Sequence, residues 1–378
     1  MNIKVKASKP YEISLHNNSF EQFGAILKAQ IHSNAILIFD ANISEKIKNS
    51  IIVSFEKSAI VFSVLTLEKV GEEIKTLGFF EEFCQNLLSN FSITRKTTLI
   101  AIGGGTVGDF IGFVAATLMR GMPFIQVPTT LLSMVDSSVG GKVAVNIGKI
   151  KNAVGCFYQP KHVLIDISFL QTLPKIEVIS GYAEVLKYGF IADKNFYEYL
   201  LKNARVFIGF LNDGEIDEDV EKYLMEIVRR SCEIKAGVVC KDEFEEKGIR
   251  EILNFGHTFG HAFEGMFLGE IPHGVAVGIG MICALRYSKI ETGEIEEHYE
   301  KIGLFKTIKA FCKKNDLAVP KPIELLKFMA KDKKNNHNAN LLEIEGEKFP
   351  QKIKLILLED IGMAIVREEK MEDVFFGL

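Results

Sequence analysis

A strand-like segment that runs directly into a glycine-rich turn and an apolar helix is the feature that most constrains this fold. Residues 97–102 read TTLIAI, residues 103–109 read GGGTVGD, and residues 110–119 are almost all apolar. A strand that ends in glycines at the start of a helix is typical of α/β sheets that hold a phosphate group at the turn. The turn matches GxGxxG at Gly103–Gly108, although a glycine-rich turn without a ligand has the same pattern.

Further strand-like and helix-like segments alternate through the first third of the chain. Residues 34–40, 59–67 and 124–127 are short apolar runs, and helix-like sequence follows the first two. Alternation of this kind predicts a parallel α/β sheet. A regular dinucleotide fingerprint also has an acidic residue about 20 positions beyond the glycines, at the end of the next strand. That strand ends in VPTT here, so a dinucleotide would bind in a non-standard arrangement, with Asp40 as the acid at a strand end.

After about residue 170 the apolar spacing becomes helical. Residues 220–239 predict an amphipathic helix, residues 252–267 and 275–285 predict buried helices, and residues 352–366 allow a small hairpin. The polar run at residues 331–340 is typical of a surface loop.

The change of pattern and the length of 378 residues together predict two domains. We expect an α/β domain with a parallel sheet at residues 1–170 and a mainly α-helical domain at residues 171–378; the resemblance described below implies that the first binds a nucleotide and the second a metal ion. Net charge is −4, which argues against a nucleic-acid partner, and no apolar run is long enough to cross a membrane. The six cysteines form no CxxC pair, and the N-terminus resembles no secretory signal, so we expect a cytoplasmic protein.

Three of the eight histidines lie close together in the sequence. His257 and His261 are four residues apart on a predicted helix, which is the spacing of an HxxxH metal pair, and His273 follows. With Glu184 upstream, imidazole and carboxylate ligands suit a catalytic zinc ion. Buried histidines with hydrogen-bonded neighbours would give the same spacing without a metal.

Two further polar groups of residues interrupt apolar sequence. Arg250, Asn254 and His257 recur at intervals of about one helical turn, and an inward polar stripe of this kind usually has a ligand. The segment 135–152 carries Lys142 and Lys151, which could bind phosphate or carboxylate or could be solvated lysines of a surface turn.

Taken together, long motifs of the chain resemble 3-dehydroquinate synthases, of the sugar-phosphate cyclase superfamily. The matching stretches run in order and include GGGTVGDFIGFVAATLMRG, QVPTTLLSMVDSSVGGKVAVN, KNAVGCFYQP, SGYAEVLKYG, DEFEEKGIREILNFGHTFGHAFE and HGVAVGIGM. The resemblance implies an NAD- and zinc-dependent lyase of the shikimate pathway, in which Co²⁺ could replace Zn²⁺, and a homodimer. Its substrate would be a small phosphorylated sugar acid, 3-deoxy-arabino-heptulosonate 7-phosphate (DAHP), converted to 3-dehydroquinate and phosphate by oxidation, phosphate elimination, reduction, ring opening and aldol closure.

The resemblance also implies roles for individual residues. The metal ligands would be Glu184, His257 and His273, which favours this set over the HxxxH pair. The residues that bind or process the substrate would be Arg120 (reaching over from a second subunit), Asp136, Lys142, Asn152, Lys187, Lys235, Arg250, Asn254, His261 and Lys333. The residues that bind NAD would be Asp40, Glu72, Lys75, Gly103, Gly104, Gly105, Val107, Asp109, Thr129, Thr130, Lys142, Lys151, Phe169 and Thr172.

The sequence departs from the family pattern in two segments, and it leaves alternative functions open. Segments 206–219 and 335–351 are longer than the family pattern, which bears on the placement of Lys235 and Lys333 but not on the metal set. The alternatives are another sugar-phosphate cyclase, a polyol or glycerol-phosphate dehydrogenase of the same fold, or a non-catalytic NAD-binding regulator. A carboxylate clamp formed by Lys142 and Arg250 would favour the synthase.

Overall fold

The computed structural model describes residues 1–148, 150–267, 270–314, 322–330, 341–344 and 347–374. Contacts divide the chain into two compact units, of which the first comprises Met1–Leu173 and Ile216–Phe244 and the second comprises Pro174–Glu215 and Glu245–Leu378. The first division falls close to the predicted boundary at residue 170. Contacts also place the segment Ile216–Phe244, which contains a long helix, in the first unit, although this segment follows the boundary in sequence.

A seven-stranded sheet forms the core of the first unit. Its strands and a separate hairpin are β1 (Asn2–Val5), β2 (Tyr11–His16), β3 (Ala35–Phe39), β4 (Phe62–Thr66), β5 (Thr98–Gly103), β6 (Phe124–Pro128), the hairpin β7 (Lys142–Ile147) with β8 (Ile150–Phe157), and β9 (His162–Asp166). The sheet order is β1-β2-β9-β6-β5-β3-β4, and only β1 runs antiparallel to its neighbour. Strands β3, β5, β6 and β9 are buried at every position, as expected when helices cover both faces of a parallel sheet.

Four helices of the first unit connect the strands, and a fifth follows the last strand of the sheet. The four are α1 (Phe23–Leu27), α2 (Glu45–Lys57), α3 (Leu77–Asn90) and α4 (Gly105–Thr117), and the fifth is α8 (Glu218–Lys241). The predicted parallel α/β sheet and the amphipathic helix at 220–239 are thereby confirmed. The segment 135–152, treated in the sequence as a loop or turn, instead forms a π-helical turn followed by the β7–β8 hairpin.

The second unit is mainly helical. Its helices are α5 (Lys175–Ala192), α6 (Lys194–Lys202), α7 (Ala204–Asp213), α9 (His257–Met266), α10 (His273–Tyr287), α11 (Gly293–Lys301), α12 (Leu304–Lys314) and α13 (Pro322–Ala330). Two hairpins follow, β10 (Leu341–Ile344) with β11 (Glu347–Pro350) and β12 (Lys352–Asp360) with β13 (Met363–Lys370). The second hairpin confirms the prediction at 352–366, whereas the first was not predicted. The long segment at 206–219 lies in α7 and the start of α8.

The predicted continuous helix at residues 252–267 is wrong. A short 3-10 helix, Ile249–Asn254, ends before α9 begins at His257. Gly256 between them has φ +78°, a left-handed conformation that favours glycine and ends a helix. Arg250 and Asn254 therefore do not share one helix face with His257. Within the described part of the chain, no helix is long and apolar enough to cross a bilayer.

Candidate metal centre and nucleotide loop

Helix α5 places a charged pair inside the second unit. It is buried without interruption from Val178 to Ile191, and this stretch includes Glu184 and Lys187. The two side chains, one helical turn apart, form an ion pair between Oε2 of Glu184 and Nζ of Lys187. A carboxylate that is 0 % exposed is costly unless its charge is compensated, so the surroundings of Glu184 indicate its role.

Two histidines from two further helices face the same carboxylate. His257 is the first residue of α9, and His273 is the first residue of α10. Each Nε2 lies 3.6 Å from Oε1 of Glu184, too far for a hydrogen bond. Ligand atoms bound tetrahedrally to zinc at about 2.0–2.2 Å would be about 3.3–3.6 Å apart, so these separations suit a metal ion between them.

His257 has the protonation that a metal ligand requires. Nδ1–H of His257 donates to the carbonyl of Phe255 at 3.2 Å. The Nε2 atom near Glu184 therefore keeps a lone pair that can bind a metal ion. Burial, Lys187 and the neighbouring histidines lower the pKa of His257 well below its usual value, so it is neutral. Neither oxygen of Glu184 accepts a hydrogen bond from the described residues, and the ligand atoms of Glu184, His257 and His273 lie within 4.8 Å of one another. The set fits a divalent metal ion.

Glu264, which the sequence analysis missed, lies beside this group on α9. Its Oε1 accepts a hydrogen bond from Nδ1 of His273 at 3.2 Å, an arrangement that orients metal-binding histidines. Burial lowers the pKa of His273, but Glu264 and then Glu184 outweigh that effect and raise it. Nε2 of His261 lies 4.0 Å from Oε2 of Glu264, and His261 shares no group of three potential ligands with His257 in the described residues. The geometry therefore favours the Glu184 set over the HxxxH pair.

Close backbone contacts fix the helices that carry these ligands. A Cβ at Gly274, next to His273 on α10, would overlap the carbonyl of Ser180 on α5, and a Cβ at Gly280 would overlap the carbonyl of Gly256. Helix α10 thus packs backbone to backbone on both neighbours, which places the three ligands side by side.

The predicted polar stripe is divided between two elements. Arg250 is 2 % exposed, and its Nε lies 3.5 Å from Oε1 of Glu245. Nδ2 of Asn254 donates to the carbonyl of Glu251 at 3.1 Å, within the same 3-10 helix. Both belong to the second unit, as the metal group does.

In the first unit, the glycine-rich turn joins β5 to α4 as predicted. Gly103 ends the strand, Gly104 is the N-cap without a side-chain hydrogen bond, and Gly105 begins the helix. The amide of Thr129 donates to the carbonyl of Gly103 at 3.0 Å, and a Cβ at Gly104 would lie 3.2 Å from Cγ2 of Thr130. An uncapped helix N-terminus beside glycines is suited to a phosphate group.

Beside this turn, a buried lysine gathers residues from three elements. Nζ of Lys75 donates to Oδ2 of Asp109 on α4 at 2.8 Å and to Oδ1 of Asn152 on β8 at 2.5 Å. Burial raises the pKa of Asp109, and Lys75 opposes that shift. Asn146, which the sequence analysis missed, extends the network, because its side chain donates to Glu72 at 2.6 Å and accepts from the amide of Asn152 at 2.8 Å.

The other predicted residues of the first unit lie in separate places on it. Lys235 on α8 forms an ion pair with Asp136 of the π-helical turn. Asp40 follows β3, and its Oδ1 accepts from the amide of Asn42 at 2.9 Å. The remaining positions are Val107, buried on α4; Lys142 and Lys151, exposed on β7 and β8; Phe169 and Thr172, on the 3-10 helix after β9; and Arg120, exposed after α4. Lys333 lies outside the described residues.

Comparison with solved structures defines the class of fold. A 2-deoxy-scyllo-inosose synthase, complexed with carbaglucose-6-phosphate, NAD⁺ and Co²⁺, is 24% identical with a TM-score of 0.77 over 100% of both chains. The 2-epi-5-epi-valiolone synthase of Streptomyces hygroscopicus subsp. jinggangensis, with NAD⁺ and Zn²⁺ bound, is 20% identical with a TM-score of 0.78 over 96% of this chain and 94% of that one. Glycerol dehydrogenase of Schizosaccharomyces pombe has a TM-score of 0.61 at 15% identity over 89% of this chain and 85% of that one. The chain has the fold shared by sugar-phosphate cyclases and polyol dehydrogenases.

Sequence relatives are more specific. Residues 65–180 match the family model for the 3-dehydroquinate synthase N-terminal region, and residues 181–335 match the model for the C-terminal region. The 3-dehydroquinate synthase of Thermoanaerobacter pseudethanolicus is 38% identical over 97% of this chain and 96% of its own. That of Caldanaerobacter subterraneus subsp. tengcongensis is 45% identical over 77% of this chain and 79% of its own. The chain belongs to the 3-dehydroquinate synthase family and is an enzyme.

Proposed function

We propose that this enzyme converts DAHP to 3-dehydroquinate and phosphate, with NAD and one divalent metal ion, Zn²⁺ or Co²⁺, as cofactors. The observation that carries the proposal is the buried group of Glu184, His257 and His273. The names of the relatives and the cofactors of two structural neighbours support it. We also propose that the nucleotide function lies in domain 1–170 and the metal function in domain 171–378.

Each cofactor has candidate residues in the chain. The metal ion, held by Glu184, His257 and His273, would polarise a substrate hydroxyl, and NAD⁺ would take up a hydride and later return it. His257 stays in its ligand tautomer through Phe255, and Glu264 orients His273. The NAD site would comprise the turn Gly103–Gly105 with Val107, and the residues Asp40, Glu72, Lys75, Asp109, Thr129, Thr130, Lys142, Lys151, Phe169 and Thr172.

Cations and amides would bind the two anionic ends of the substrate. Lys142 and Arg250 are proposed for the carboxylate, where a guanidinium gives a charge-assisted pair. Asn152, Lys187 and Lys333 are proposed for the phosphate, and Asp136, Lys235 and Asn254 for the hydroxyl groups. His261, partly exposed beside Glu264, is proposed to relay a proton to or from a hydroxyl group.

The decisive experiment separates a synthase from a dehydrogenase. The holoenzyme, given DAHP and catalytic amounts of NAD⁺, should release phosphate steadily while absorbance of NADH stays flat, because the hydride returns to the same molecule. A dehydrogenase would accumulate one NADH per product. Stoichiometric NADH, or no phosphate release, would refute the proposed function.

We propose a homodimer in which Arg120 completes the site of the neighbouring subunit. In support, Arg120 is exposed, and both it and Met119 adopt positive φ angles, of 61° and 53°. Two adjacent non-glycine residues in this conformation are strained, and such strain is concentrated at functional sites. Mixing inactive Arg120→Ala chains with inactive Lys187→Ala chains should restore part of the activity if sites are shared. A fully active monomer in light scattering would contradict the proposal.

We also propose that the enzyme is cytoplasmic. All six cysteines are free thiols, which fits a reducing compartment.

A further inference from the structure

A cavity of about 410 Å³ lies at the amino ends of the sheet strands, opposite to the glycine-rich turn at their carboxyl ends. It is lined where strands begin: Pro10 before β2, Thr98 at the start of β5, Pro123 before β6 and Lys161 before β9. The glycine-rich turn follows the other end of β5, so the two places are separated by the length of a parallel strand. The cavity is therefore distinct from the proposed nucleotide site, and Arg120 does not line it.

The lining of this cavity is strongly cationic although the chain as a whole carries a net charge of −4. Lys9, Arg95, Lys96 and Lys161 contribute four positive charges, and no aspartate or glutamate lines the cavity. In the described part of the chain, none of the four forms an ion pair with a carboxylate. Like charges gathered around a concave surface repel one another and focus the field on a bound anion.

Two buried polar groups at the cavity also have unused hydrogen-bonding capacity. Thr98 is 1 % exposed and Gln159 is 7 % exposed, and both line the cavity. Within the described residues, neither Oγ1 of Thr98 nor Oε1 of Gln159 has a hydrogen-bond partner. Nε2 of Gln159 donates to Oε1 of Glu243 at 2.9 Å, and the same carboxylate accepts from the amide and the hydroxyl of Ser8. Both atoms have almost no accessible surface, so they lie beneath the lining, and the exposed cations carry the recognition of a bound anion.

The turn that carries two of the cations is ordered by its own hydrogen bonds. The amide of Thr94 donates to Oγ1 of Thr97 at 2.9 Å, and the amide of Lys96 donates to Oγ1 of Thr94 at 3.1 Å. Oγ1 of Thr97 in turn donates to Asn34 at 2.7 Å. Arg95 and Lys96 are thus presented on a fixed backbone, which lowers the entropic cost of binding.

We propose that this cavity binds a small organic molecule that carries two phosphate groups. Each phosphate has a charge of about −1.5 to −2 at neutral pH, so two match the four cations that line the cavity. Arg95 supplies a planar fork for one phosphate, and the lysines supply point charges for the rest. The inference is independent of the proposed function, because it concerns a different end of the sheet.

Isothermal titration of the holoenzyme with fructose 1,6-bisphosphate at low ionic strength tests this inference, with fructose as the uncharged control. We expect a Kd of about 1 mM or tighter. The variant Arg95→Gln/Lys96→Gln should raise Kd by about 5- to 30-fold, as two partly exposed ion pairs are lost, without changing kcat/KM for DAHP. The matched variant Lys202→Gln/Lys306→Gln, which removes two exposed charges from the second unit, should leave Kd unchanged.

Hydrogen exchange locates the bound molecule. The bisphosphate should protect peptides that cover residues 94–98 and 158–161 and should do so less in the Arg95→Gln/Lys96→Gln variant. No saturable binding, an unchanged Kd in that variant, or protection confined to residues 103–109 would overturn the inference. Tighter binding of a short DNA duplex that displaces the bisphosphate would also overturn it, in favour of a nucleic-acid surface.

Discussion

Each unit has a buried lysine beside a carboxylate near its proposed cofactor site, Lys75 in the first and Lys187 in the second, but the two groups differ in what remains unpaired. In the first unit, Lys75 donates to both Asp109 and Asn152, and its charge is matched. In the second unit, Lys187 forms an ion pair with one oxygen of Glu184, while the other oxygen faces two imidazoles at a distance too long for hydrogen bonds. The Lys75 group is therefore complete as a structural network, whereas the Glu184 group becomes complete only around a cation.

The largest expected effect is at the Glu184 group. His257→Ala should lose the metal and lower kcat/KM by about 1,000-fold or more, because the metal supplies several kcal/mol of charge stabilisation. His261→Ala should lower turnover but retain metal, measured by plasma emission spectroscopy of the purified variants. Loss of the metal from His261→Ala would instead support the HxxxH pair.

The Lys75 group should contribute to the stability of the first unit. Lys75→Met leaves the partly buried Asp109 without its cation and should lower the free energy of unfolding of the first unit by about 2 kcal/mol. Lys69→Met is the matched control, since Lys69 and Glu82 form an exposed pair at 3.8 Å, and it should cost less than about 1 kcal/mol. Denaturant unfolding followed by hydrogen exchange in α4 measures both. Equal losses in the two variants would show that the Lys75 group is no more important than a surface pair.

A pH experiment compares the units through one buried histidine in each. Burial lowers the pKa of His162 in the first unit and of His298 in the second to about 4, from an ordinary 6.5. Above pH 6.5 the resulting stabilisation is fully present, and as the pH falls towards 4 it is lost, because only the unfolded chain takes up protons. Each histidine should account for about 3 kcal/mol at most.

Variants assign this pH dependence to a unit. His298→Phe should reduce the loss of stability between pH 7 and pH 4.5 in α11. Ser14→Ala/His162→Phe should reduce that loss in β9, and the Ser14 substitution avoids leaving unpaired the serine that forms the 2.7 Å hydrogen bond with His162. Hydrogen exchange in the two elements is the measurement. An unchanged pH dependence in either variant would show that its histidine is not the group that titrates.

The smallest expected effect tests how His273 is oriented in the Glu184 group. Glu264→Gln should weaken metal affinity by about 10- to 100-fold, because Nδ1 of His273 loses a charged acceptor. Competition with a chelator measures the affinity, and Glu270→Gln, which alters an exposed residue nearby, is the control. Wild-type affinity in Glu264→Gln would mean that α10 alone orients His273.

Features that depend on short stretches of chain were predictable, and those that depend on packing were not. The buried strands, α8 and the proposed metal ligands Glu184, His257 and His273 all lie in patterns or motifs that can be read along the chain. Glu264 was missed because its role depends on where α9 lies against α10. Asn146 was missed because it contacts Glu72 only through the β7–β8 hairpin, 74 residues away in sequence. The break at Gly256 was missed because the apolar pattern continues across it.

The glycine contacts of α10 also determine how stiff the second unit is around Glu184. Backbone that rests directly on backbone leaves no side chain to yield, so the helices that carry the proposed ligands cannot move apart unless a whole helix is displaced. Zinc and cobalt-sized ions are bound at about 2.0–2.2 Å, whereas Ca²⁺ needs about 2.3–2.6 Å and more ligands. Helices held at this spacing therefore favour the smaller ions, and replacing Gly274 by a larger residue would weaken that preference.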